Sequence, residues 1–191
     1  MIISVMNCFI VPSFSIILLL HINGTTQNPV YTIVHEKAEL ASYQRNIFSE
    51  NMKFVVKKIN STDISLSMRF TMATDLLDKK IMLKISIDKL IANAYRHTGA
   101  TGSVNVCEYW EKNAFAMKDM MLKYGYMDGC ELKKGTSYYL ENFIPEYSSF
   151  PKFLPYGSFR VILDFYYEND TQTTPIFVVH WYAKVEKLIK F

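Results

Sequence analysis

The chain has 191 residues, of which 50% are hydrophobic, 15% aromatic and 20% charged. That length suits one domain, and that composition excludes a disordered tail, a collagen-like rod and a coiled-coil array. Lys and Arg number 21 against 18 Asp and Glu, a formal charge of +3, too small a bias to point to nucleic acid.

Residues 1–22 carry no Lys, Arg, Asp or Glu. The run Phe14-Ser-Ile-Ile-Leu-Leu-Leu20 has the length of a secretory h-region and is too short to span a bilayer. Pro12 breaks a single spanning helix from the start. Cleavage after Gly24 predicts a signal peptide over 1–24 and a mature domain over 25–191. Against this stand the missing basic residue after Met1 and bulky Ile22 near the cut, and the alternative is an uncleaved anchor.

Strand-like alternation begins weakly at Tyr31-Thr-Ile-Val-His35 and returns at Phe54-Val-Val-Lys-Lys-Ile59. Ile64, Leu66, Met68, Phe70 and Met72 then alternate with Ser65, Ser67, Arg69 and Thr71, the pattern of a half-buried strand. Past a polar turn over 75–80, Ile81, Leu83, Ile85 and Ile87 alternate with Met82, Lys84, Ser86 and Asp88. The two runs predict one antiparallel hairpin with a dry face. Gly99-Ala-Thr-Gly102 reads as a turn leading to a helix over 107–124. There Trp110, Ala114, Met117 and Met121 recur at helical spacing opposite Glu111, Lys112, Lys118 and Asp119, and Gly125 is a natural stop. A short strand over 138–143 and a bend over 151–157 follow. Phe159, Val161, Leu163, Phe165 and Tyr167 alternate next and, after a turn over 168–174, so do Phe177, Val179, Trp181, Ala183 and Val185. The sum is mainly β: an antiparallel, immunoglobulin-like sandwich or cup of six or seven strands with one amphipathic helix.

Losing Cys8 with the leader leaves Cys107 and Cys130, 23 positions apart. In an oxidising compartment such a pair bonds, stabilising by about 3 kcal/mol in the chain-entropy model. In a cytosolic chain the two would remain free thiols. The sequons Asn60-Ser61-Thr62 and Asn169-Asp170-Thr171 predict glycosylation at Asn60 and Asn169.

Catalytic patterns are scarce. His35, His97 and His180 lie far apart, without a carboxylate or cysteine at metal-ligand spacing. A Gly-x-Ser-x-Gly elbow and a phosphate loop ending in Gly-Lys-Ser/Thr are absent. Asp75, Asp78, Asp128 and Glu131 fall in turns, where carboxylates are ordinary. The residues point to no enzyme, no metal and no cofactor. Apolar mass is in surplus, since Ile162, Tyr166, Ile176, Val178 and Tyr182 stand opposite the main apolar sets of their strands. Either the core is simply filled, or the sheets splay around a cavity with a compliant, methionine-rich wall. Candidate wall residues are Phe70, Ile85, Trp110, Met117, Phe143, Leu163, Phe177 and Trp181, each equally suited to plain core.

Three stretches carry a resemblance: Val106-Cys107-Glu108-Tyr109-Trp110, Gly129-Cys130-Glu-Leu-Lys-Lys-Gly135-Thr-Ser-Tyr138-Tyr139, and Phe153-Leu-Pro155-Tyr-Gly157-Ser-Phe159-Arg160. Their order is similar to that of a family of small secreted insect proteins, considered similar to ML lipid-recognition and ganglioside-activator sandwiches. Family members carry another cysteine pair in the N-terminal half and often a Pro after the second Cys; this chain has neither. The resemblance implies an extracellular apolar-ligand carrier, in chemosensation or reproduction, with no catalytic residues. The expectation is thus a secreted protein holding a lipid or other small hydrophobic ligand between two sheets. The alternative is a closed interaction module engaging a cell-surface receptor or another secreted protein through exposed aromatics. Neither nucleic acid nor a membrane span in the mature chain is expected.

Overall fold

The computed structural model describes residues 31–77, 80–127, 129–145, 153–168 and 172–188, and only the backbone of Phe115 and Met117. The expected leader over 1–24 and the sequon Asn169 lie outside the described residues. The strands are β1 (Tyr31–Tyr43), β2 (Lys53–Lys58), β3 (Ile64–Thr71), β4 (Ile81–Ile91) and β5 (Ala94–Asn105), then β6 (Gly125–Tyr126), β7 (Ser137–Phe143), β8 (Gly157–Glu168) and β9 (Thr173–Lys187). They form a five-stranded sheet, β1-β9-β8-β4-β5, and a four-stranded sheet, β2-β3-β7-β6. All pairings are antiparallel.

The chain crosses between sheets after β1, β3, β5 and β7. β3 and β7 pair in one sheet, and their successors β4 and β8 pair in the other. If β2, β3, β7 and β6 are named A, B, E and D, and β9, β8, β4 and β5 are named G, F, C and C′, both orders are those of an immunoglobulin-like sandwich. β1 is an additional strand outside β9.

The expected hairpin of the runs 64–72 and 81–88 does not form: β3 and β4 lie in different sheets. Their dry faces are real, but each faces into the sandwich from its own layer. The segment between them is pinned by Leu76, 6% exposed and bridged to Leu132. A second correction concerns 99–102, which belongs to strand β5. That strand is an edge with mostly exposed residues, so it lacks the alternation that a dry face imposes. It pairs with β4 through the tight turn at Ala92 (φ 50°) and Asn93 (φ 61°), the left-handed pair that a two-residue hairpin turn requires.

The expected single helix is broken. α1 (Val106–Glu111) is capped by Asn105, whose side chain accepts from the N–H groups of Cys107 (2.9 Å) and Glu108 (3.1 Å). Left-handed Asn113 (φ 48°) and Ala116 (φ 55°) interrupt the path before α2 (Met117–Tyr124). Gly125 does end α2, but through close approach: a Cβ there would lie 2.0 Å from the Tyr139 carbonyl oxygen. Cys107 and Cys130 are bridged with Cα atoms 4.9 Å apart, folding the chain after α2 back onto the start of α1.

The core runs along β9 in three clusters. Ala183 and Val185 pack with Tyr31, Ile33 and Phe159 at one end. Trp181 leans on the central cluster of Ala38, Ile64, Leu66 and Leu140. Val179 and Phe177 join Phe70, Met72, Ile81 and Tyr138 at the other end.

Candidate functional site: a slot between two edge strands

β1 and β2 are the edges of different sheets, so no ladder joins them, although they lie side by side. Their inward residues therefore border a gap. Ala38 and Leu40 on the inner side of β1, with Glu39 between them, line an open groove of about 380 Å³ together with Phe54 and Val56 from β2 and Met52 just before it. The alternation of β2 produces this wall: Phe54 and Val56 turn in, while Lys53, Val55 and Lys57 turn out. Leu40 and Phe54 pack at their inner sides on the cluster containing Phe70, and Phe54 and Val56 also pack on the central cluster.

Side-chain bonds close the slot at both ends. At one, the Lys58 ammonium donates to the carbonyls of His35 and Ser61, each at 3.2 Å. At the other, Tyr43 Oη donates to Asn51 Oδ1 at 3.1 Å. Between Ala38 and Leu40, Glu39 turns its side chain to the opposite face of β1, toward Tyr182 and His180. The Tyr182 hydroxyl (2.7 Å) and Lys37 ammonium (2.9 Å) donate to its carboxylate and hold its pKa below the ordinary value. Behind the slot, His35 is 5% exposed and accepts at Nδ1 from Trp181 Nε1 at 3.0 Å. Burial pushes the His35 pKa down, partly offset by the Asp63 carboxylate, while Lys58 adds to the lowering.

Of the eight residues expected to wall a cavity, none of the seven whose side chains are described lines the slot. Phe70 and Phe177 are buried in one cluster, with Leu163 packed against it. Phe143 and Trp181 pack on the central cluster. Ile85 is part-buried on β4, paired with Leu163 and Gly102. Trp110 is part-buried on α1, and the side chain of Met117 lies outside the described residues. The slot is lined instead by residues that the sequence marked, at most, as members of weak strands. Phe54 and Val56 stood in a recognised run, but nothing in that run says that it borders an unpaired edge.

The outer face of the five-stranded sheet carries a polar network. Asp88, 5% exposed, accepts at Oδ2 from Arg160 Nε (3.0 Å) and Nη2 (2.5 Å). Its Oδ1 lies 3.2 Å from His97 Nδ1, and His97 Nε2 lies 3.3 Å from Thr101 Oγ1. This carboxylate–imidazole–hydroxyl order resembles a nucleophile relay, but the Thr101 hydroxyl donates to Ser86 Oγ. A second hollow of about 410 Å³ on this face is lined by Lys84, Ser103, Asp164, Tyr166, Glu168, Thr173 and Pro175, and so by no member of the relay. Among the described residues no three His, Cys, Asp or Glu gather where they could hold a metal ion, and no helix is long and apolar enough to cross a membrane. Asn60 is exposed at the tip joining β2 to β3, its Oδ1 accepting from Thr62 Oγ1 at 3.0 Å.

No family model matches the chain, and no curated protein matches it. Among solved structures it is similar to the crystal structure of the C-terminal domain of wzt, at 12% identity and a TM-score of 0.30, over 86% of this chain and 83% of that one; a likeness at that level carries no argument about function.

Proposed function

We propose that this is a secreted carrier whose lipid or other small hydrophobic ligand lies in the slot between β1 and β2. The observation that carries the reading is the groove itself: an open depression of about 380 Å³ bordered by Ala38, Glu39, Leu40, Met52, Phe54 and Val56, with polar and apolar surface exposed in about equal share. Small-ligand sites start at about 300 Å³ and are concave and mostly apolar with a few polar groups. Each methylene seated there contributes roughly 0.8 kcal/mol. The order of motifs similar to secreted ML-type sandwiches agrees with this role, and so do the expectations of a leader over 1–24 and of glycosylation at Asn60. No catalytic part is assigned to any residue.

A second reading, a closed interaction module for a receptor or secreted partner, is favoured by one observation. Phe70, Phe143, Leu163, Phe177 and Trp181 all pack in or against clusters that occupy the space between the sheets. Titration with a fluorescent fatty-acid probe separates the two. The wild type should bind the probe, and Val56→Glu, which buries a carboxylate in the slot, should bind it at least about tenfold more weakly. Val55→Glu, on the opposite face of the same strand, should leave probe affinity unchanged. A wild type that binds no probe and shows no copurified lipid on native mass spectrometry would establish the module instead.

A further inference from the structure

The edge of a sheet offers N–H and C=O groups to any strand that can lie beside it, and proteins guard such edges with charge, bulges or shortness. Three of the four edges here are guarded. β2 carries Lys53, Lys57 and Lys58 in six residues. β1 is bulged at Glu36 and again at Ala41, with β2 alongside. β6 is two residues long. β5 differs: Arg96 is its one Lys, Arg, Asp or Glu in 12 residues, and it has no Pro. Among the described residues no strand pairs with its outer side. Its two halves are unlike. Thr98, Gly99 (φ 83°) and Ala100 stand opposite the single Ile87, a bulge that together with Arg96 guards the first half. Beyond it, residues 101–105 run in unbroken register against 82–86 of β4. Thr101, Gly102 and Ser103 are exposed and Val104 is half-buried. This stretch is neutral, and its side chains are small enough for another backbone to approach.

We infer that β5 pairs with the β5 of a second copy of this chain, antiparallel about a two-fold axis at Ser103, so that two five-stranded sheets continue into one. Such an axis makes the contact self-complementary: Ser103 meets Ser103, and Thr101 of one copy meets Asn105 of the other. Charge favours a copy over an ionic partner. The nearest ions on the same face are Lys84, opposite Ser103, and Asp164, opposite Lys84. Across the axis the two Lys84 residues would stand three strand spacings apart, about 14 Å, which exceeds the Debye length in physiological salt. On α1, which follows β5, Glu108 pairs with Lys112 at 3.3 Å, and Glu111 lies at the far end. Residues 101–105 thus give an ionic partner nothing to attract and a second copy nothing to repel. Pairing over so short a stretch buries less than the roughly 1,200–2,000 Å² of a standard interface, so the dimer is weak and concentration-dependent. It is independent of what the slot holds.

Sedimentation equilibrium of the full mature protein, with the Cys107–Cys130 bridge intact, tests it. The weight-average mass should climb toward twice the monomer mass between micromolar and millimolar concentration. Over the same range the backbone amides of 101–105 should exchange more slowly with deuterium. Ser103→Lys puts two ammonium groups across the axis and should weaken association at least about tenfold. An equimolar mixture with Ser103→Glu should restore it as a heterodimer, a rescue that a merely misfolded variant could not give. Ser103 is exposed, so both variants should keep the wild-type circular dichroism. Val55→Glu, on the β2 edge, should leave association unchanged. A protein that stays monomeric throughout, association that Ser103→Lys leaves intact, or a Lys–Glu mixture no more associated than either variant alone would overturn the pairing. Association lost in Val55→Glu instead would place the contact on β2 and overturn it as well.

Discussion

Replacing Asp88 by Asn tests whether the outer network holds three strands together. The carboxylate is 5% exposed and joins β4 to β8 through Arg160 and to β5 through His97. Breaking a buried ion pair by removing one partner costs about 3–5 kcal/mol. Here the partners are not fully dry, with side-chain exposures of 27% for Arg160 and 52% for His97, so water compensates part of the loss. The expected cost is then about 2 kcal/mol, which for a domain of this size lowers the melting temperature by about 4–8 °C. Thermal and urea unfolding of Asp88→Asn would measure it. Asp88→Asn combined with Arg160→Met should recover part of the loss, because the guanidinium is no longer left unpaired. The pH arm has a definite sign. Burial alone would raise the Asp88 pKa, but hydrogen bonds from Arg160 and His97 outweigh it and the net value is lowered. Its stabilisation is therefore complete above the unfolded value of about 3.9 and is lost as pH falls through the folded value. Asp88→Asn should flatten that acid limb. An unchanged melting temperature, or a single variant no less stable than the double, would refute the reasoning.

Two further perturbations follow from the interior. Cys107→Ser should cost about 2–5 kcal/mol, since Cys107 is 1% exposed and its bridge closes the helical segment; the check is the melting temperature under non-reducing conditions. His35, whose pKa burial lowers, must stay neutral to accept from Trp181. Stability should therefore be full above the unfolded value of about 6.5 and decline below it, by at most about 1.4 kcal/mol per pH unit, until the folded value is reached. His35→Gln should remove that slope in urea titrations run between neutral and mildly acid pH.

The strands legible in the sequence are those with one wet and one dry side. β3 buries Ile64, Leu66 and Phe70, β4 Ile81 and Leu83, and β9 Phe177, Val179, Ala183 and Val185 on one face, so their period of two survives in the chain; β8 carries the same apolar period, although Phe159 is its one buried residue. β5 was hidden because an exposed edge strand needs no apolar face, and its Thr, Gly and Ser residues look like loop. Pairing was hidden for a different reason. The dry sides of β3 and β4 are equally compatible with lying side by side and with facing each other across the interior, and only the length and anchoring of the chain between them decides. The helical period was visible from Trp110 to Met121, but left-handed Asn113 and Ala116 interrupt it without disturbing the apolar spacing.

The site was less legible, because bulk and opening select different residues. Choosing the largest apolar side chains finds Phe70, Phe177 and Trp181, and those end in the core precisely as close packing demands of large side chains with many neighbours. The slot is bordered by Ala38, Leu40 and Val56 as well as by Phe54, and their character comes from the strand that is missing between β1 and β2. Topology alone creates that gap. Ties at both ends, Lys58 to the His35 carbonyl and Tyr43 to Asn51, hold the two edges in proximity while the stretch between them has no ladder. A filled interior and an open groove of mixed lining thus coexist in one sandwich: the core supplies stability away from the edge, and the groove needs only that two edge strands be neighbours without being partners.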